Sequence, residues 1–129
     1  MKKILVAEDD KFLASAYRVK LTKAGFDVQI AGDGNEALTI LKTFIPDLIL
    51  LDLMMPIKDG FATLQELKAN DAWKNIPVIV ASNLGQKEDM DKSKELGATD
   101  FIIKSDLSLE SLIEKINTII AATATPAIV

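Results

Sequence analysis

"PDLILLDLMMPIKDG", residues 46–60, places a carboxylate, Asp52, directly after an almost unbroken apolar run and then breaks the chain with a proline and a glycine. A run so short and so apolar reads as a strand covered on both faces, and such strands belong to parallel sheets packed between helices. Four further runs repeat the signal: "ILVA" (4–7), "FDVQIA" (26–31), "PVIVA" (77–81) and "DFII" (100–103). Within 26–31, Phe26, Val28 and Ile30 alternate with Asp27, Gln29 and Ala31, which marks that segment as the expected edge strand.

Amphipathic stretches separate these strands. Leu13, Ala16, Tyr17, Leu21 and Ala24 share one helical face, as do Ala37, Leu38, Leu41 and Phe44, and then Phe61, Leu64 and Leu67. The last helix places Leu109, Leu112, Ile113, Ile116 and Ile120 on one side, with Ser108 set to cap its start. "GQKEDMDKSKELG" offers Met90 and Leu96 as its apolar anchors, so the fourth helix is expected to be loosely held. Five strand–helix units joined by short loops predict an α/β fold, a doubly wound five-stranded parallel sheet with helices on both faces. One domain is expected over residues 1–121, with 122–129 as a tail.

Composition excludes several functions. The 129 residues contain no cysteine and no histidine, which removes disulfides, thiolate metal sites, the usual catalytic triads and the commonest general base. Net charge is −4 and Arg18 is the sole arginine, so no basic stripe marks a nucleic-acid binder. No apolar run approaches the roughly 20 residues that span a bilayer, and "MKKILVAEDD" meets acids too early for a signal peptide. A cytoplasmic protein with neither membrane nor nucleic-acid contacts is expected.

In open parallel sheets, ligands bind beyond the carboxyl ends of the strands, where strand order reverses. "EDD" (Glu8, Asp9, Asp10) ends the first strand and Asp52 the third. Either feature alone reads as a solvated turn or a helix cap. Together they make an acid cluster that calls for compensation, since two carboxylates about 4 Å apart repel by roughly 1 kcal/mol in bulk water and roughly 4 at an effective dielectric of 20. All-oxygen ligands point to Mg²⁺. Ser82 and Lys104 end the fourth and fifth strands at the same edge. An acid cluster, a lone carboxylate, a hydroxyl and an ammonium describe a place for a phosphoryl group on Asp52, its charge balanced by Mg²⁺ and Lys104.

With "ILVAEDD", "DLILLDLMMPIKDG", "PVIVAS" and "GATDFIIK" in this order, the chain from about residue 3 to 121 resembles a receiver domain of bacterial two-component response regulators. The resemblance implies a flavodoxin-like sheet in the order 2-1-3-4-5 and an acceptor that assists its own phosphorylation and dephosphorylation without being an enzyme. It makes Asp52 the phosphoacceptor, loaded from the phosphohistidine of a partner kinase or phosphotransfer protein. Asp9, Asp52 and the backbone carbonyl of Met54 would ligate Mg²⁺, with Glu8 acting through water. Lys104, Ser82 and Asn83 would surround the phosphoryl group, Ser82 and Phe101 would act as the switch, and Met54 and Leu84 would flank the path of hydrolytic water. Asp10 reads as a helix cap first and an auxiliary acid second.

Two positions depart from the family's pattern. Ser105 stands where a proline usually follows the lysine, often with a cis bond; a non-proline cis bond costs about 2.5–4 kcal/mol, so the geometry after Lys104 is left open. Asn83 replaces a small residue and alters access for phosphodonors. A dehalogenase-type phosphatase would need a second acid where Met54 stands, and a flavin binder would not put Glu8, Asp9 and Asp10 in its phosphate loop. The alternative is a degenerate receiver that binds partners independently of phosphorylation. The start "MKKILVAEDD" and the lack of an effector domain lead to the expectation of a stand-alone chain, and the resemblance implies that it signals to a downstream protein through the fourth helix, fifth strand and fifth helix. Lys87, Lys92 and Lys94 facing Glu110 and Glu114 read equally as support for a homodimer there or as solvated charge.

Overall fold

A computed structural model describes residues 1–83, 86–106 and 108–124. Five strands alternate with five helices: β1 (Lys3–Ala7), α1 (Lys11–Lys23), β2 (Asp27–Ala31), α2 (Gly34–Ile40), β3 (Leu48–Asp52), α3 (Gly60–Ala69), β4 (Val78–Ser82), α4 (Lys87–Glu95), β5 (Asp100–Ile103) and α5 (Leu109–Ala124). All pairings are parallel, in the order β2-β1-β3-β4-β5. Each strand starts and ends within one residue of the expected bounds. The register pairs Ala7 with Leu51 and Asp52 with Ala81, so the ends of the three central strands form one edge.

The pleat divides the apolar runs between two cores. Ile4, Val6, Leu48, Leu50 and Ile79 face one side, where Tyr17 and Leu21 of α1 and Leu112, Ile116 and Ile120 of α5 cover them. Leu5, Ile49, Leu51, Val78 and Val80 face the other, against Ala37, Leu41, Leu64 and Leu67. Burial on both faces is why β1, β3 and β4 show no alternation. β5 lies at the other edge, as the expected order 2-1-3-4-5 places it, but its burial is a correction: the unbroken apolar run leaves Phe101 and Ile103 half-buried.

The helices differ in how firmly they are held. Asp10 caps α1 through the N–H groups of Phe12 and Leu13 (2.9 and 3.1 Å), and Ser108 Oγ caps α5 by accepting from the Ser111 N–H (3.1 Å). α2 stops at Ile40, before Phe44, which packs partly against the core from the turn that follows. Of the two expected anchors of α4, Leu96 packs partly against the second core and Met90 does not. Met90 is exposed, whereas Ser93 is fully buried and donates its hydroxyl to the Asp89 carbonyl (2.8 Å). A helix of nine mostly charged residues has no wide apolar stripe, so a small residue makes the close approach. α5 continues through Ala124, beyond residue 121, where the tail was expected to begin; residues 125–129 lie outside the described residues.

Between β3 and α3, Ile57 has φ of 68° and the Lys58 N–H donates to the Pro56 carbonyl (2.7 Å), forming a γ-turn. A β-branched residue is disfavoured at positive φ, and this one is 80% exposed. The turn is fixed from both sides: the Gly34 N–H donates to the Lys58 carbonyl (3.1 Å) and the Gly60 N–H to the Leu53 carbonyl (2.9 Å). Left-handed geometry costs a non-glycine residue about 1–2 kcal/mol and glycine's extra chain entropy costs about 0.5–1. Ile57→Gly should therefore stabilise the fold by about 0.5–1 kcal/mol in urea denaturation; a loss of stability would mean that the Ile57 side chain packs favourably.

Candidate functional site

Main-chain geometry delivers each polar residue to the strand-end edge. The Glu8 N–H donates to the Ala31 carbonyl (2.9 Å), continuing β1 by one residue. The Asp10 N–H then donates to Glu8 Oε1 (3.1 Å), so the turn into α1 also orients the Glu8 carboxylate. Asp9 lies between them and is exposed. Asp52 is the last residue of β3 and only 6% exposed. α3 starts close behind it because residue 60 is glycine: a Cβ there would sit 2.3 Å from the Asp52 carbonyl oxygen. The Lys104 N–H donates to the Ser82 carbonyl (2.8 Å), which carries the chain one residue past β5. Among the described residues no peptide bond is cis, so Lys104 is followed by a trans bond to Ser105.

The Lys104 ammonium bridges two buried carboxylates, 2.6 Å from Glu8 Oε2 and 3.1 Å from Asp52 Oδ2. Burial pushes the Glu8 carboxyl above its usual value; the hydrogen bond from Lys104 opposes that and the Asp52 charge adds to it. Burial also works against the Lys104 ammonium, but its hydrogen bond to Glu8 and the charges of Asp52 and Glu8 outweigh this and raise its pKa. The same field reaches α1: burial, then Glu8 and Asp52, push the Tyr17 phenol up to about 12.

Glu8, Asp9 and Asp52 bring carboxylate oxygens within 4.8 Å of one another. Three carboxylates against one ammonium leave two negative charges uncompensated, and the exposed Asp9 opens the cluster to solvent. A hard divalent cation fits this donor set. Both Glu8 oxygens are already engaged, by Lys104 and by the Asp10 N–H, which suits Glu8 to an indirect role. In metal-free buffer, Asp9→Asn should raise stability by about 0.5 kcal/mol, the size left after solvent screening. Mg²⁺ at ten times its Kd should stabilise the wild type by about 1.4 kcal/mol. Thermal melts with and without Mg²⁺ check both; no response to either would mean that the three acids do not share one cation.

Ser82 is buried at the end of β4 and lines a cleft of about 570 Å³ with Asp9, Met54, Asp59, Phe61 and Asp89. A smaller adjoining pocket of about 290 Å³ joins Asp9 and Asp52 to Lys104, Asn83 and Met54. Met54 is 71% exposed, and its N–H makes a long hydrogen bond to Asp52 Oδ1 (3.4 Å). Phe101 stands apart from the acids, half-buried in a groove with Met90 and Lys94 of α4. Leu84 lies outside the described residues. Sequence reasoning gave no role to Asp59 or Asp89 and placed Phe61 only on the apolar face of the third helix, where it does pack against the second core; all three also reach the cleft. Asp59 is readable as the α3 cap, accepting from the Ala62 N–H (2.8 Å), but no signal in the sequence points Asp89 inward.

Comparison with known proteins agrees with this architecture. The Francisella response regulator 1452 receiver domain is 35% identical, with a TM-score of 0.87, covering 95% of this chain and 99% of that one. The Mn²⁺-bound form of response regulator Rcp1 is 30% identical, with a TM-score of 0.79, covering 100% and 98%. The DNA-binding dual master transcriptional regulator RpaA of Synechocystis is 33% identical over 95% of this chain and 51% of its own length. The chain thus spans about half the length of the curated relatives it matches. Residues 4–117 match the response regulator receiver domain, and the chain belongs to that family.

Proposed function

We propose that the chain is a phosphorylation-controlled switch in two-component signalling, in which Asp52 accepts a phosphoryl group from the phosphohistidine of a partner kinase or phosphotransfer protein. The observation that carries this reading is the buried Lys104 ammonium held between Glu8 and Asp52 beside the exposed Asp9. An Asp52 oxygen attacks phosphorus as the P–N bond breaks and its electron pair returns to the donor imidazole. Lys104 neutralises charge on the transferred group, and the Ser82 hydroxyl hydrogen-bonds to it. Mg²⁺, held by Asp9, Asp52 and the Met54 carbonyl, would supply the remaining positive charge. The test is incubation with a small phosphodonor followed by intact mass: a gain of one phosphoryl group with Mg²⁺ and none with a chelator. A gain in the chelator would remove the metal from the account.

The exposed apolar Met54 offers hydrolytic water no hydrogen bond, and the phosphorylated state is expected to be long-lived. Met54→Asn should speed decay after donor removal about tenfold, equivalent to about 1.4 kcal/mol of barrier, while Mg²⁺ binding through the backbone carbonyl persists. Unchanged decay would place control of water elsewhere.

Output through the α4–β5–α5 face remains the reading for downstream contacts. Within this chain Glu110 pairs with Lys20 (3.0 Å) and Lys92 with the Phe61 ring, so a homodimer there would rest on Lys87, Lys94 and Glu114. The name of the RpaA relative makes DNA a candidate partner of any longer protein of this type, and the expectation of no nucleic-acid contact is withdrawn. Among the described residues no helix is long and apolar enough to cross a membrane.

A further inference from the structure

α4 is the least anchored of the helices. Ser93 is its one buried residue among those described, with a hydroxyl that bonds within the helix itself, and its apolar anchor, Leu96 at the C-cap, packs against the second core at the end opposite Asp89. Its N-cap residue, Gln86, makes no side-chain cap hydrogen bond, and the main-chain neighbour of the helix is β5 on the side away from Asp52. Yet Asp89, in its first turn, helps to wall the cleft that Ser82, Asp9 and Met54 share. Something must hold that turn toward the cleft.

Across the cleft stands Phe61, half-buried in the first turn of α3 and packed against the second core. The Lys92 ammonium of α4 lies 4.3 Å from the centroid of its ring, well inside the range of a cation–π contact. The ring is fixed by its core neighbours and the lysine is exposed, so the contact fastens a weakly held helix to a firm wall.

We propose that Lys92, laid on the Phe61 ring, is a positioning residue that holds the N-terminal part of α4 against the cleft leading to Asp52, while Leu96 anchors the other end of the helix in the core. Glu88, one turn earlier on α4, shares a face with Lys92, and an ordinary surface ion pair between them is the competing account.

Hydrogen exchange of the intact chain separates the two. Lys92→Met keeps length and helix propensity while removing the charge. Phe61→Leu keeps an apolar side chain and removes the π face. Exposed cation–π contacts of about 0.5–1 kcal/mol correspond to about two- to fivefold faster exchange of α4 amides in either variant. The double variant should be no faster than the singles, Lys92→Arg should restore protection, and α1, α5 and the central strands should be unchanged. Exchange unaltered in Phe61→Leu, additive effects in the double variant, or faster exchange throughout the domain would each overturn the proposal. A second readout rests on the function proposed above: phosphorylation of Lys92→Met by a small donor with Mg²⁺ should be faster by a similar factor as the cleft opens. If the wild type takes no phosphoryl group at all, that function fails, and the tether stands or falls on the exchange data.

Discussion

Replacing Asp52 with asparagine should abolish the proposed Mg²⁺-dependent gain of a phosphoryl group while leaving the chain folded. The amide preserves the volume of the side chain at the end of β3, where Asp52 is only 6% exposed, but removes the nucleophilic carboxylate. It also relieves Glu8 of a neighbouring negative charge that raises its pKa, and Lys104 still pairs with Glu8 at 2.6 Å. Stability in metal-free buffer should therefore hold or rise. Retention of the mass gain in this variant would move the acceptor to another residue, and an unfolded variant would show that Asp52 is needed by the fold.

Lys104→Met carries the second large effect. Lys104, Glu8 and Asp52 are all at least nine-tenths buried at the side chain, so the substitution leaves two carboxylates facing each other without their shared cation. Breaking a buried ion pair from one side costs about 3–5 kcal/mol, because the remaining charge keeps its desolvation penalty. The loss should depend on pH. Without the lysine hydrogen bond that now lowers it, the already raised pKa of Glu8 rises further. A carboxyl whose folded pKa lies above its unfolded value favours the folded state below the usual carboxylate range, and that advantage is lost as pH climbs through the raised value. The variant should be least impaired below the usual carboxylate range and most impaired at neutral pH and above. Urea denaturation across that range measures it. An equal loss at every pH would mean that Lys104 matters through its packing and not its charge.

These effects depend on residues that the sequence made partly visible. The central strands were legible because two helical layers demand apolar side chains on both faces, and Leu48–Leu51 or Ile79–Ala81 satisfy that with no alternation. β5 misled for the same reason: an edge strand flanked by α4 and α5 also reads as continuously apolar, although Phe101 and Ile103 are half-buried. Glu8, Asp9, Asp52, Ser82 and Lys104 could be grouped in advance because strand ends in a parallel sheet converge on one edge. That Lys104 approaches Glu8 more closely than Asp52 could not, since it depends on the extra methylene of glutamate and on the Asp10 N–H that turns the carboxylate. That Asp59, Phe61 and Asp89 meet at one cleft was hidden more deeply, although Phe61 is legible as a core-facing residue of α3 and Asp59 as its cap. Their placement follows from how α3 and α4 rotate about their axes, and "KEDMDKSKE" has too few apolar residues to fix that rotation.

The most direct test of the central claim is chemical. An acyl phosphate on a carboxylate is reduced by borohydride to an alcohol, whereas phosphoesters and free carboxylates are not. The chain, treated with a small phosphodonor and Mg²⁺, reduced, digested and sequenced by mass spectrometry, should carry homoserine at position 52 and aspartate at positions 9, 10 and 59. Homoserine at any other position, or a phosphorylated chain that resists reduction, would contradict the assignment of Asp52 as the residue that carries the signal.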